Sequence, residues 1–213
     1  NDIFGIGRDD NSVLDQRQSK SVNNDALITI GLGSIDASNA ANPNTFDSDL
    51  LFMTIANNDD NIVLQRTETN PNISAIERLS REWMVQEPNG DVGAVDMQFD
   101  LSDPIFIDKT LNEFALLIDD DGDFSSGATS LLQATSLTGT PGTDGAVLFC
   151  DDITQLNDQQ FFTLAMHIYS PGRVASNLAL WLKANEGVYA DRDPNDDHAI
   201  GEAPAFDGQE VHS

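Results

Sequence analysis

Basic residues are scarce in this chain: Lys and Arg number 10 against 36 Asp and Glu, a formal net charge of −26 and a pI near 4.1. A nucleic-acid-binding surface needs a basic footprint, so that class of partner is excluded. Docking on anionic lipid is opposed by the same charge. Cysteine occurs once, at Cys150, so neither an intramolecular disulfide nor a cysteine-built zinc site can form. The apolar run around it, residues 146–150, predicts a buried, inert thiol. No apolar stretch reaches the roughly 18 residues a membrane-spanning helix needs, and no secretion signal is recognisable. Histidine is limited to His167, His198 and His212. With no His-Glu-x-x-His, Gly-x-Ser-x-Gly or phosphate-loop pattern, no catalytic residue and no organic-cofactor site is assigned.

What the chain does have is patterned apolar sequence, 39% of 213 residues. That content argues against the disorder that such acidity with few aromatics could otherwise signal. Residues 94–101 are the cleanest case. Val95, Met97, Phe99 and Leu101 alternate with Asp96, Gln98 and Asp100, the period of a half-buried strand. Similar runs lie at 26–35, 49–56, 62–67, 81–87, 113–118, 129–137, 146–150, 161–168 and 178–182, with Gly, Asn, Asp or Pro between them. About ten short strands so punctuated predict an all-β fold, an antiparallel β-sandwich with long acidic loops and at most one or two short helices. Residues 1–25 are polar with weak periodicity, and Gly5 and Gly7 are expected in a turn or bulge. Ser74 and Glu77 have capping-box spacing, which predicts a helical turn before the Trp83 strand. Residues 154–160 could form another. Pro171-Gly172 marks the best boundary, dividing a module at 1–170 from a junction and following segment at 171–213.

Four carboxylates fall within five positions directly after the apolar run ending at Ile118. Crowded carboxylates repel unless solvated or bridged by a cation, and hard oxygen donors in a loop suit Ca²⁺. Asp119, Asp121 and Asp123 share the spacing of the first three side-chain ligands of an EF-type loop. Phe124, however, stands where the sharp-turn glycine belongs, and Ser130 where the bidentate glutamate belongs. A solvated Asp-Gly turn is the alternative. A second loop has Asp191, Asp193 and Asn195 at ligand positions 1, 3 and 5 and Glu202 at position 12, with Asp196 in the glycine place; an acidic linker is the alternative there. Asp9 with Asp10, and Asp59 with Asp60, are weaker cation candidates that read equally as solvated turns.

Trp83 and Trp181 could stack on sugars, but both sit in apolar strand patterns that favour core packing. Glu82 and Glu87 flank the Trp83 strand, yet their odd spacing places them on opposite faces, which argues against a glycosidase pair.

Several stretches taken together resemble a β-rich module of very large secreted bacterial surface proteins of the repeats-in-toxin adhesin type. They are Gly5-Ile-Gly-Arg-Asp-Asp10, Gln16-Arg-Gln-Ser-Lys-Ser21, Leu27-Ile-Thr-Ile-Gly-Leu-Gly33, Arg81-Glu-Trp-Met-Val-Gln-Glu87 and Leu116-Leu-Ile-Asp-Asp-Asp-Gly-Asp-Phe124. Residues 177–185 look like the opening strand of a laminin-G/concanavalin-like segment. The resemblance implies a non-enzymatic, calcium-stabilised scaffold of a secreted, cell-surface adhesin, a monomer partnered by Ca²⁺ and neighbouring modules. The alternative it leaves open is a calcium-dependent module that itself binds cell-surface glycan or peptide. Part of a polysaccharide-degrading enzyme is a third reading, and the chain is expected to be a piece of a longer polypeptide.

Overall fold

In the computed structural model, which describes residues 2–67, 75–126 and 129–167, fourteen strands form two antiparallel sheets. This is the predicted all-β sandwich. The strands are β1 Ile3–Asp9, β2 Leu14–Gln16, β3 Gln18–Lys20, β4 Ile28–Leu32, β5 Phe52–Asn57, β6 Leu64–Gln65 and β7 Ala75–Leu79. They continue with β8 Trp83–Gln86, β9 Val95–Asp100, β10 Phe114–Asp119, β11 Ser130–Gln133, β12 Ser136–Thr138, β13 Val147–Ile153 and β14 Phe161–His167. The larger sheet runs β11-β10-β14-β8-β5-β1-β2, with β7 beside β14 and β6 beside β7. The smaller runs β12-β13-β9-β4-β3.

The alternation read from β9 is reproduced: Val95, Met97 and Phe99 are buried and the residues between them are half-exposed. Its buried face meets Ile28 and Ile30 of β4, Trp83 of β8 and Leu116 of β10 in one core between the sheets. Trp83 joins the two layers. Its ring stacks on Phe162 at 5.6 Å, from the neighbouring strand, and meets Phe99 of the opposite sheet edge-on at 6.3 Å. Trp83 is therefore core rather than a sugar platform; Trp181 lies outside the described residues.

Three expectations are corrected. Residues 1–25 carry β1, β2 and β3, and Gly5 and Gly7 lie inside β1 rather than in a turn or bulge. A side chain at Gly5 would run into the Met53 carbonyl of β5, and one at Gly7 into the Phe52 ring, so close strand approach requires both glycines. The capping-box spacing before Trp83 leads not into a helical turn but into β7. A reciprocal box does form, between Thr110 and Glu113, at one of two single 3-10 turns, Pro104–Phe106 and Leu111–Glu113. Residues 154–160 contain a simple turn closed by the Gln160 N–H on the Asn157 carbonyl, at 3.2 Å.

β7 and β8 act as one strand interrupted at 80–82. Between the pairs Phe162↔Trp83 and Ala165↔Arg78, β14 advances three residues and the facing chain five, so two residues bulge out. The buried Thr163 hydroxyl fills the gap, 2.9 Å from the Arg81 carbonyl and 3.2 Å from that of Leu79. That break turns Arg81 away from the ladder. The boundary at residue 170 and everything after it lie outside the described residues.

Candidate functional site

β10 is buried at all six positions. Phe114, Leu116 and Ile118 face the core, so Ala115, Leu117 and Asp119 fall on the outer face of the sheet. Antiparallel sheets commonly leave that face wet. Here the loop that follows β10 covers it. Phe124 is fully buried against Leu117 and Ala165, flanked by Leu131 and Phe161, and its ring lies 4.8 Å from the Arg78 guanidinium. The residue that breaks the EF-type pattern is thus the anchor of the loop. Ser130, in the bidentate-glutamate place, pairs with Ile118 in the β10–β11 ladder. The backbone of Gly122, at φ +83°, lies against the Phe161 ring, where any side chain would be crowded.

Within this loop Asp119, Asp121 and Asp123 turn back on the chain, while Asp120 accepts from the Gln160 amide. Asp119, only 1% exposed, accepts the N–H of Asp121 at 3.0 Å and of Gly122 at 3.1 Å on Oδ1, and the Thr129 hydroxyl at 2.7 Å on Oδ2. Asp121 accepts the Asp123 N–H at 2.9 Å. Asp123 accepts the Ser125 N–H and hydroxyl at 3.1 and 2.5 Å, and the serine hydroxyl holds its carboxyl below the usual range. The predicted trio is therefore placed on one curl of backbone but not gathered around a common point. Among the described residues no group of three or more His, Cys, Asp or Glu is arranged to hold a metal. Nor does Asp119, Asp121 or Asp123 have an ion-pair partner among them. The donors are the hard oxygens Ca²⁺ prefers, but a coordination shell would require Asp121 and Asp123 to rotate off their amide partners. Asp191, Asp193, Asn195 and Glu202 lie outside the described residues, as do His198 and His212.

In the weaker acidic pairs the carboxylates of Asp9, Asp10 and Asp60 have near neighbours as partners. Asp9 caps a turn through Asn11 and Ser12, and Asp10 pairs with Arg8 at 2.7 Å. The Asp60 carbonyl accepts from Arg81 at 2.8 Å.

That arginine is the centre of an acidic corner that no local pattern announces. Arg81, 4% exposed, donates to the Asp25 carbonyl at 2.9 Å and to the Asp25 carboxylate at 2.8 Å, and stands 3.9 Å from the Asp2 carboxylate. Asp2, 3% exposed, also accepts from Ser21 at 2.6 Å, Asn23 at 2.7 Å and Asn57 at 3.1 Å. The guanidinium's hydrogen bond holds the Asp25 carboxyl below its usual range. Partners 21 to 79 residues away along the chain leave no motif. The one available signal was scarcity: an arginine beside an apolar strand in a chain with ten basic residues.

Glu82 and Glu87 do not form a pair. Glu82 lies in the bulge before β8 and Glu87 follows the strand's end, and each carboxylate is engaged separately. Glu82 pairs with Arg78 at 2.8 Å, while Glu87 is buried and accepts the Val92 N–H at 3.0 Å. Burial raises its pKa, with Asp91 and Asp158 adding to the effect. Cys150 is buried as expected, and burial pushes its thiol up to about 12, which leaves it unreactive at neutral pH.

A family model described as Domain of unknown function (DUF8202) matches residues 1–160. No curated protein and no solved structure matches the chain.

Proposed function

The chain belongs to that family, whose description names no activity, and from its acidic loop and its resemblance to adhesin modules we propose that it is a non-enzymatic structural module of a secreted bacterial adhesin, stabilised by Ca²⁺. The observation that carries the ion is the corner at residues 119–126. It concentrates Asp119, Asp120, Asp121 and Asp123 in a loop fastened to the sheet by Phe124, and none of the trio Asp119, Asp121 and Asp123 has an ion-pair partner among the described residues. Bringing a divalent ion there offsets their mutual repulsion and couples ion binding to the folded state. Asp119, already fixed by three hydrogen bonds, is the anchor ligand; Asp121 and Asp123 swing onto the ion. Residues Asp191, Asp193, Asn195 and Glu202 are proposed as a second site on spacing alone. The secreted, surface setting rests on the resemblance and on the −26 charge, which suits a solvated extracellular module.

The test is thermal unfolding in EGTA and in calcium, for the native chain and for the double substitution Asp121→Asn/Asp123→Asn. Calcium at a hundredfold over its Kd adds about 2.7 kcal/mol to the native chain, and the double variant loses most of that gain. Identical melting curves with and without calcium remove the ion from the proposal. A gain that survives the double substitution moves the ion elsewhere in the chain.

A further inference from the structure

Beside the acidic loop, on the outer face of the larger sheet, lies a groove of about 530 Å³. Its floor is the cross-strand pair Met84 and Phe161, directly opposite each other in β8 and β14 and both half-buried. Pro88 and Gln86 continue the β8 side. The walls bring Asp120 from the loop after β10 and Asp158 from the turn before β14. Floor and walls differ in chemistry. A thioether and a half-buried ring offer apolar contact, while both charged lining residues are carboxylates.

Neither carboxylate is neutralised among the described residues. Asp120 accepts one hydrogen bond, from the Gln160 amide at 2.7 Å on Oδ1. Asp158 accepts the Glu87 N–H at 2.7 Å and the Gln159 amide at 3.1 Å. The Glu87 amide holds the Asp158 carboxyl below its usual range, so it is ionised at neutral pH. All these partners are neutral donors, and each carboxylate retains acceptor capacity.

We propose that this groove receives a basic side chain of a partner protein, with its aliphatic stem on Met84 and Phe161 and its cationic head between Asp120 and Asp158. Lysine and arginine are the side chains with that division, an apolar stem of several carbons ending in a charged donor group. Charge complementarity favours this occupant over a neutral sugar, because acceptors dominate the rim and the −26 net charge draws cations toward the whole molecule. The groove and the calcium loop are separate proposals: Asp120 adds charge to the loop, but the ligands named there are Asp119, Asp121 and Asp123, whereas the groove uses Asp120 and Asp158, and EGTA removes the ion from the test.

The probe is an acetylated, amidated tetra-arginine peptide, titrated into the chain in EGTA at low and high salt and followed by nuclear magnetic resonance. The expected result is saturable binding, with the largest shift changes at Met84, Gln86 and Phe161. Asp120→Asn/Asp158→Asn weakens it about tenfold or more. Asparagine keeps one oxygen, which preserves the Gln160 bond at position 120 and the Glu87 N–H bond at position 158, and an unchanged melting curve checks that the fold is intact. Gln86→Lys, at an exposed wall position, places a competing cation in the groove and blocks the peptide. The control Asp36→Asn/Asp144→Asn removes the same charge at exposed sites near the other sheet and changes affinity less than about twofold. Equal weakening by the two double variants reduces the effect to bulk charge and overturns the proposal. So does absence of saturation, or preferential binding of a neutral hexasaccharide at the same resonances.

Discussion

Two acidic corners of this sandwich solve the same electrostatic problem differently. Around Arg81, carboxylates from residues 2 and 25 meet a guanidinium that the chain itself supplies, and every member is tied to a different segment. After β10, four carboxylates follow one another in sequence, and the trio Asp119, Asp121 and Asp123 is satisfied by amide and hydroxyl donors of its own loop. The first corner is a tertiary cross-link whose cation is permanent. The second is a local structure with no ion pair to its trio among the described residues, the Arg78 guanidinium beside Phe124 acting on Asp123 only at longer range. A run of aspartates in sequence therefore marks a place where a counter-ion is wanted. It does not mark the place where the fold has built one in.

The largest test of this contrast is Arg81→Met. Removing the guanidinium leaves the Asp2 carboxylate buried beside neutral donors and strips two backbone carbonyls of their partner, costing about 3–5 kcal/mol. Urea unfolding measures it, and the loss should be the same with and without calcium. A loss that calcium restores would erase the distinction between the corners. Next in size is Phe124→Ala, which empties the site over Leu117 and Ala165 and costs about 3 kcal/mol. The same substitution frees the loop, so hydrogen exchange at residues 119–126 rises while the Trp83 core stays protected. Unchanged exchange there would mean that the loop holds itself and Phe124 is not its anchor.

The smallest effect sharpens the comparison with a third carboxylate. Glu87 is as buried as Asp2 but has no arginine, and its folded-state pKa is raised, chiefly by burial. As pH climbs from the ordinary glutamate value toward that raised value, the unfolded chain loses its proton first and native stability falls. Glu87→Gln removes this loss, so the variant melts higher than the native chain at pH 7 and not at pH 3. Asp2→Asn, at a carboxylate that does have its arginine, should move melting in the opposite direction at pH 7. Two shifts of the same sign would show that burial, not pairing, governs both groups.

Legibility followed locality. The strands with alternating or continuous apolar residues, β4, β5, β8, β9, β10, β13 and β14, stand out because burial on one or both faces writes a period into the chain. β2 and β3 lie at the ends of their sheets and carry Asp15, Gln16, Gln18 and Lys20, so no period forms. β7 was obscured by charge. Arg78 and Glu82, four apart like a helical pair, meet instead across the bulge that follows it. The run at 129–137 hides a break at Ala134 and Thr135, where the chain leaves one sheet as β11 and enters the other as β12.

Of the candidate ion site, the position and the donor chemistry were readable, because adjacent carboxylates and a glycine declare a loop wherever they occur. That Phe124 closes the sheet face, that Thr163 fills a gap in the β7–β8 ladder, and that Arg81 gathers Asp2 and Asp25 were not. Sequence alone determined an acidic, antiparallel sandwich, since short-range periodicity and turn residues act over a few positions. Which carboxylates meet a cation depends on contacts dozens of residues apart, and only the packing of one segment against another decides those.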